Sequence, residues 1–243
     1  MVVRIAKLAA IHPPESPMTA LPRPVPVLLA LALAAACTAA HPATYDLKKQ
    51  WSAKLNPHGA WTLEQGGVAL PRDKDWTAIS NADAAYNPPS GHVAQPAWAP
   101  GNVPGHYLPA WFKAAVTPAD AQYGWLQGDL IVHGTDIYNG IGSGVASVLF
   151  TSPEAGTATI SGYAYNARNM GRPQAWEVAL NGVLLAEGRL PGDGTFTRAK
   201  RMNFSIAPQV VQVGDAITMT VHETDGSSTP GDFVGLDLTV AIH

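Results

Sequence analysis

The sequence predicts an all-β fold, a single antiparallel β-sandwich of jelly-roll type, on three observations. Apolar and polar residues alternate with period 2 through the second half of the chain, as Ile217, Met219 and Val221 do against Thr218, Thr220 and His222. Turn signals rich in Gly, Pro, Asn and Asp separate these runs, with no helical periodicity between them. Charged residues are 14% of the chain against an apolar 47%, too few for a coiled coil and too apolar a mix for a disordered chain.

Taken in order, residues 1–40 read as a signal peptide. Pro24–Ala36 is an uncharged apolar run, too short to span a bilayer but of h-region length, behind Arg4, Lys7 and Arg23. Met18 offers an alternative start that gives the segment a more signal-like order. Cys37 leaves two readings open. Ala-Ala-Ala-Cys resembles a lipobox and would carry a lipid anchor; the displaced Leu33 and the small residues through Ala40 favour ordinary cleavage. Cleavage after Ala40 leaves 203 residues, without cysteine, carrying 12 basic against 17 acidic residues. The expected product is exported, extracellular or periplasmic, with one core, no disulfide and no transmembrane helix. A mildly acidic balance gives no electrostatic footprint for nucleic acid.

The expected domain spans 41–243. A short helix is expected at 47–55 and a strand at 60–65. Residues 66–125 form a loop-rich part, because Pro88, Pro89, Pro96, Pro100, Pro104 and Pro109 remove donors and argue against sheet interior. A second helical turn is expected from Pro118 to Leu126. Strands follow at 145–151, 157–166, 174–180, 195–206, 216–222 and 236–243, and Asn181-Gly182 marks the sharpest hairpin, returning through 183–188.

Several of these segments carry a resemblance. The opening DLKKQWSAKLNPHGAWTLEQG (46–66), with Asn56-Pro57-x-Gly59-x-Trp61, is similar to the start of a group of bacterial secreted β-sandwich domains. VLFTSPEAGTATISGYAYN, WEVALNGVLLAEGRL, VQVGDAITMTV and DFVGLDLTVAI resemble their later strand pairs. Such domains are common in proteins with a PEP-CTERM sorting tail and are similar in outline to carbohydrate-binding jelly rolls. The resemblance implies a secreted sandwich, not an activity. No Pro-Glu-Pro motif follows Ile242, so sorting by that route is not expected here.

Catalytic motifs do not survive inspection. Gly140-Ile141-Gly142-Ser143-Gly144 misplaces its serine for a nucleophile elbow and has no Lys-Ser/Thr for a phosphate loop. His133 and Asp136 could pair a base with its orienting carboxylate, or offer two metal ligands, but a solvated loop pair is the preferred reading. The expectation is therefore a non-catalytic binding module. The alternatives are a structural cell-surface or matrix protein, and a glycan-cleaving hydrolase with a carboxylate pair assembled from loops. Ligand contact is expected from Trp98, Tyr107, Trp111, Tyr123, Trp125, Asp136, Tyr138 and Asn139. Ring faces stack on sugars while amide and carboxylate groups direct hydrogen bonds. The ligand expected is an extracellular glycan. Trp61 and Trp176 lie on strand-like segments and read as core. No cofactor is expected, except that Glu223, Asp225 and Asp232 could offer Ca²⁺ the hard oxygens it takes; Asp-Gly-Ser and Pro-Gly-Asp turn chemistry explains the same residues.

Overall fold

A computed structural model describes residues 42–73, 96–100, 108–114, 125–134, 145–169, 171–224 and 231–243. The chain divides into two units, Met1–Ala39 and Ala40–His243, and everything described lies in the second. The signal segment and Cys37 fall outside the described residues. No helix among the described residues is long and apolar enough to cross a membrane.

The described residues are all β. In chain order the strands are β1 (Ala43–Asp46), β2 (Trp61–Gln65), β3 (Val68–Ala69), β4 (Arg72–Asp73), β5 (Ala97–Trp98), β6 (Ala110–Lys113) and β7 (Leu130–His133). Then come β8 (Ala146–Thr151), β9 (Gly156–Asn166), β10 (Gln174–Leu180), β11 (Val183–Leu190), β12 (Met202–Val211), β13 (Ala216–Glu223) and β14 (Phe233–Ile242). They make two antiparallel sheets. One runs β12-β9-β14-β7-β6-β5-β4 with β1 added against β14; the other runs β11-β10-β13-β8-β2-β3. This is the sandwich of jelly-roll type that the alternation predicts.

The alternation places the core. From β9, Ala158, Ile160 and Ala164 face inward; from β14, Val234, Leu236, Leu238 and Val240; from β13, Ile217, Met219 and Val221, all buried. Trp61 and Trp176 join them, as expected of strand residues: Trp61 lies 5.0 Å from Phe150 and Trp176 stacks on Phe204 at 4.6 Å. Glu177, one residue on, faces out and meets His222 at 3.4 Å. The Asn181-Gly182 hairpin has both residues at positive φ (49° and 79°), which a type I′ turn demands.

Three expectations need correction. Residues 47–55 are turn and irregular chain, not helix. Side-chain oxygens capture the amides a helix would use: Lys49 N donates to Asp46, Lys48 N to Asp237, and Lys54 N and Leu55 N to Ser52. The strand expected at 195–206 starts only at Met202, because Gly192 and Gly194 at positive φ and an Asp193–Thr195 turn hold the chain in loops before it. The proline-rich part is not free of sheet. Pro96, Pro100 and Pro109 flank β5 and β6 instead of interrupting them, so Trp98 and Trp111 pair as neighbours within the larger sheet. The segment 118–124 lies outside the described residues.

Candidate functional site

The Asn56-Pro57-x-Gly59-x-Trp61 motif is structural. The Asn56 carboxamide accepts from Leu63 N (2.8 Å) and donates to Leu63 O (2.8 Å) and Leu70 O (2.9 Å), clamping the β2–β3 hairpin. Trp61 Nε1 donates to Gln50 Oε1 at 2.8 Å. A hollow beside it, lined by Trp51, Leu55, Asn56 and His58, has room for about one water molecule.

The aromatic ligand set turns out differently. Trp98, Trp111 and Trp125 are buried, 4%, 0% and 2% exposed, and present no stacking face to a ligand. Trp98 Nε1 donates to Ser52 O and Trp125 Nε1 to Ala167 O, so both rings tie distant segments onto the larger sheet. Trp111 faces the inter-sheet core, whereas Trp125 belongs to a second apolar cluster with Phe112, Ile131, Tyr165 and Phe233 on the opposite, outer face. Trp125 lies 4.8 Å from Phe233 and 5.1 Å from Phe112. Tyr107, Tyr123, Asp136, Tyr138, Asn139 and Asp225 lie outside the described residues. So does the glycine run 140–144.

Away from that cluster, the outer face of the larger sheet is polar. Strand register sets Asn203, Tyr163 and Asp237 side by side across β12, β9 and β14. The next outward row is Ser205, Ser161, Thr239 and Asp46, the last brought in by β1. Asn203, Ser205 and Ser161 are exposed; Tyr163 is half-buried. Arg201 lies 4.2 Å over the Tyr163 ring, and Arg198 pairs with Asp129 beside Tyr165. Burial, then the Asp237 charge, pushes the Tyr163 hydroxyl up, and burial with Asp129 takes Tyr165 up to about 12. The Asp237 carboxyl rises to about 6, chiefly by burial and then by Asp46 nearby. Its Oδ1 accepts from Lys48 N and Leu238 N, so this carboxyl also ends β1. Period-2 reading assigned none of these outward residues a role; the signal available was the run Tyr163, Tyr165 on one face of β9.

The third arrangement is a polar layer between the sheets at one end of the core. On the larger sheet Asn166 follows Ala164 in the inward alternation of β9, and the buried Asp232 immediately precedes β14. On the smaller sheet Gln174 pairs directly with Glu223. Asp232 and Gln174 are fully buried and Asn166 is 7% exposed. The Asn166 amide, Gln174 Oε1 and Asp232 Oδ2 have no hydrogen-bond partner. Burial pushes the Asp232 carboxyl up to about 7 against the pull of its hydrogen bond from Phe233 N and of Arg172 and Arg168. Of the expected triad of oxygens, Asp225 lies outside the described residues. Asp232 is fully buried, one residue before β14, while Glu223 ends β13 on the other sheet. Among the described residues no three of His, Cys, Asp and Glu come together as a metal-binding group. His133 is buried, its Nδ1 bonded to Gly134 O at 2.7 Å and its ring edge-on to Phe233 at 4.4 Å.

No family model and no curated protein matches the chain. Solved structures to which it is similar include a family 35 carbohydrate-binding module from Clostridium thermocellum, at 12% identity and TM-score 0.26, over 45% of this chain and 86% of that one. A second is a β-(1,4)-mannanase of Podospora anserina carrying a family 35 module, at 13% and 0.28, over 42% of this chain and 20% of that one. A third is the cleaved adhesin domain of Lys-gingipain from Porphyromonas gingivalis, at 12% and 0.34, over 82% and 97%. The chain spans a fifth of the mannanase. Overlaps with TM-scores of this size carry no argument about what the chain binds.

Proposed function

We propose that the domain is a non-catalytic module that binds an extracellular carbohydrate on the outer face of the larger sheet, around Tyr163. The observation that carries this reading is the row Asn203–Tyr163–Asp237, backed by the hydroxyls of Ser205, Ser161 and Thr239. A sugar presents donors and acceptors on its rim and an apolar face to a ring edge. An amide, a phenol, a carboxylate and hydroxyls at strand spacing answer that pattern on a rigid support. Rigidity matters, because side chains already held by a sheet lose little entropy on binding. The reading keeps the ligand class expected from the sequence and moves its site from the tryptophan loops to a sheet face.

A glycan array on the secreted form, followed by titration of retained glycans, tests it. Tyr163→Ala and Asn203→Ala should each weaken binding at least tenfold, and the exposed Asn203→Ala should leave the unfolding curve near that of the parent. Retention of no glycan, or binding untouched by both substitutions, overturns the proposed site.

A further inference from the structure

Four aliphatic side chains that the core leaves out gather at one end of the sandwich. Val183, Leu184, Val210 and Val213 are 65%, 50%, 73% and 68% exposed. Hydrogen bonds tie together the turns that carry them. Ser152 N donates to Asp215 O and Gly214 N to Ser152 O, both at 2.8 Å. Asn181 N donates to Ala216 O at 2.8 Å, and Asn181 Nδ2 to Asp215 Oδ1 at 3.0 Å. The chain enters the domain at this same end. Ala43, the first residue of β1, pairs with Ile242, Ile242 with Ala158, and Ala158 with Gln209, next to Val210. Residues 152–156, 181–184 and 210–215 include no Lys or Arg and two acids, Glu154 and Asp215. Both acids are engaged: Glu154 Oε1 accepts from the Tyr45 hydroxyl at 2.9 Å and Asp215 Oδ2 from Gln212 N at 2.7 Å.

Grouped exposed aliphatics of this kind mark an interaction surface, and the chain leading into the domain says what meets it. The apolar run 24–36 ends shortly before β1, with residues 37–42 between Ala36 and Ala43. Fully extended, that stretch reaches about 25 Å at most. A bilayer holding the run itself, or a lipid on Cys37, therefore lies nearest this end of the sandwich. A second copy fits less well, because interface cores are enriched in aromatic residues, Met and Arg, whereas the exposed apolar groups here are Val and Leu. We propose that this end faces lipid, with Val183, Leu184, Val210 and Val213 resting in the boundary between headgroups and acyl chains of the membrane to which the N-terminal segment tethers the domain. Aliphatic side chains without basic neighbours hold to lipid weakly by themselves. The tether makes their contact intramolecular and so raises its effective concentration. Tyr163 stands six residues along β9 from Thr157, the partner of Val210, about 20 Å from this end, and stays in water. The proposal does not depend on the glycan reading.

The test uses the whole chain, purified from a host that exports it and mixed with vesicles of phosphatidylethanolamine and phosphatidylglycerol. An environment-sensitive dye is attached at Val183→Cys, at Val213→Cys and, as a control on the polar row, at Ser205→Cys; all three positions are exposed, so the fold should tolerate them. The parent, treated identically, corrects for dye on Cys37. With vesicles, emission at 183 and at 213 should rise several-fold, shift to the blue and be quenched by spin-labelled lipid, while 205 stays unchanged. The pair Val210→Ser and Val213→Ser should remove most of the rise seen from position 183. No change at 183 and 213, or an equal change at 205, overturns the proposal. So does a rise that grows with protein concentration in the absence of vesicles, which assigns this end to a second copy.

Discussion

The two halves of the larger sheet's outer face make an instructive contrast. Over β5, β6 and β7 it is covered by a second apolar cluster in which Trp125, Phe112, Ile131 and Phe233 interlock. Over β12, β9, β14 and β1 it carries Asn203, Ser205, Ser161, Tyr163, Asp237 and Thr239. Tyr165 sits at the frontier: it belongs to the apolar cluster, while Tyr163, two residues earlier, is only half-buried. Its ring lies across β14 where Gly235 stands, and a Cβ there would come within 2.1 Å of it. One continuous backbone surface thus serves two physical ends. Where a chain segment crosses it, side chains are apolar and rigidify the fold; where none of the described segments does, they are polar and offered to solvent.

The sharpest way to break that contrast is to empty the two tryptophan sites. Trp111→Ala on the inner face and Trp125→Ala on the outer should each cost about 3–5 kcal/mol in urea unfolding, as full aromatic deletions do. The milder Trp→Phe pair sharpens it. Trp125→Phe also strands Ala167 O, to which the indole donates, whereas Trp111 Nε1 has no partner to lose, so the outer variant should suffer more.

Next in size is Asn56→Ala, which leaves Leu63 N, Leu63 O and Leu70 O without their side-chain partner. A loss of about 2–4 kcal/mol is expected by the same denaturant measurement. Retention of parental stability would show the hairpin to be held by its apolar contacts alone.

The pH response comes after that. Asp232 and Asp237 titrate in the folded chain at about 7 and about 6, above the 3.8 of the free carboxyl. A raised carboxyl pKa means that the native state binds protons the unfolded state has released. The stability tied to these groups is complete below about pH 4 and is lost as the pH rises through about 6 and then about 7. The melting temperature should therefore fall from about pH 4 to about pH 7 and level off above. Asp232→Asn should lessen the fall over the whole window up to about pH 7, and Asp237→Asn only its part below about pH 6. A flat profile in the parent would mean that neither carboxyl is desolvated as the packing implies.

The smallest effects belong to the polar half of the outer face. Ser161→Ala and Ser205→Ala should stay within about 0.5 kcal/mol of the parent, since exposed polar side chains on a solvated sheet face contribute little. A loss of more than 1 kcal/mol in either would show that this half is covered like the other.

Much of this architecture was legible in residue order. The alternation in 157–166, 174–180 and 216–222 located three strands almost to the residue, and Asn181-Gly182 located their sharpest turn, because pleat and positive φ are properties of neighbouring residues. Trp61 and Trp176 were readable as core for the same reason. The strand at Leu130–His133 escaped notice, since Leu-Ile-Val-His is a short apolar run without alternation and is buried on both faces. The candidate surfaces were less legible still, although each depends on residues whose types were plain.

By itself, then, the sequence determined a two-sheet β fold, its main turns and the inward stripe of each long strand, all consequences of a period that spans two residues. Tertiary structure alone decided that Trp98 and Trp125 are buried, through Ser52 and Ala167 more than forty residues away in each case. It also decided that Asp232, Asn166 and Gln174 are buried while Tyr163 keeps an outward row. Burial depends on which distant segment lies across a face, and no local pattern of side chains records that.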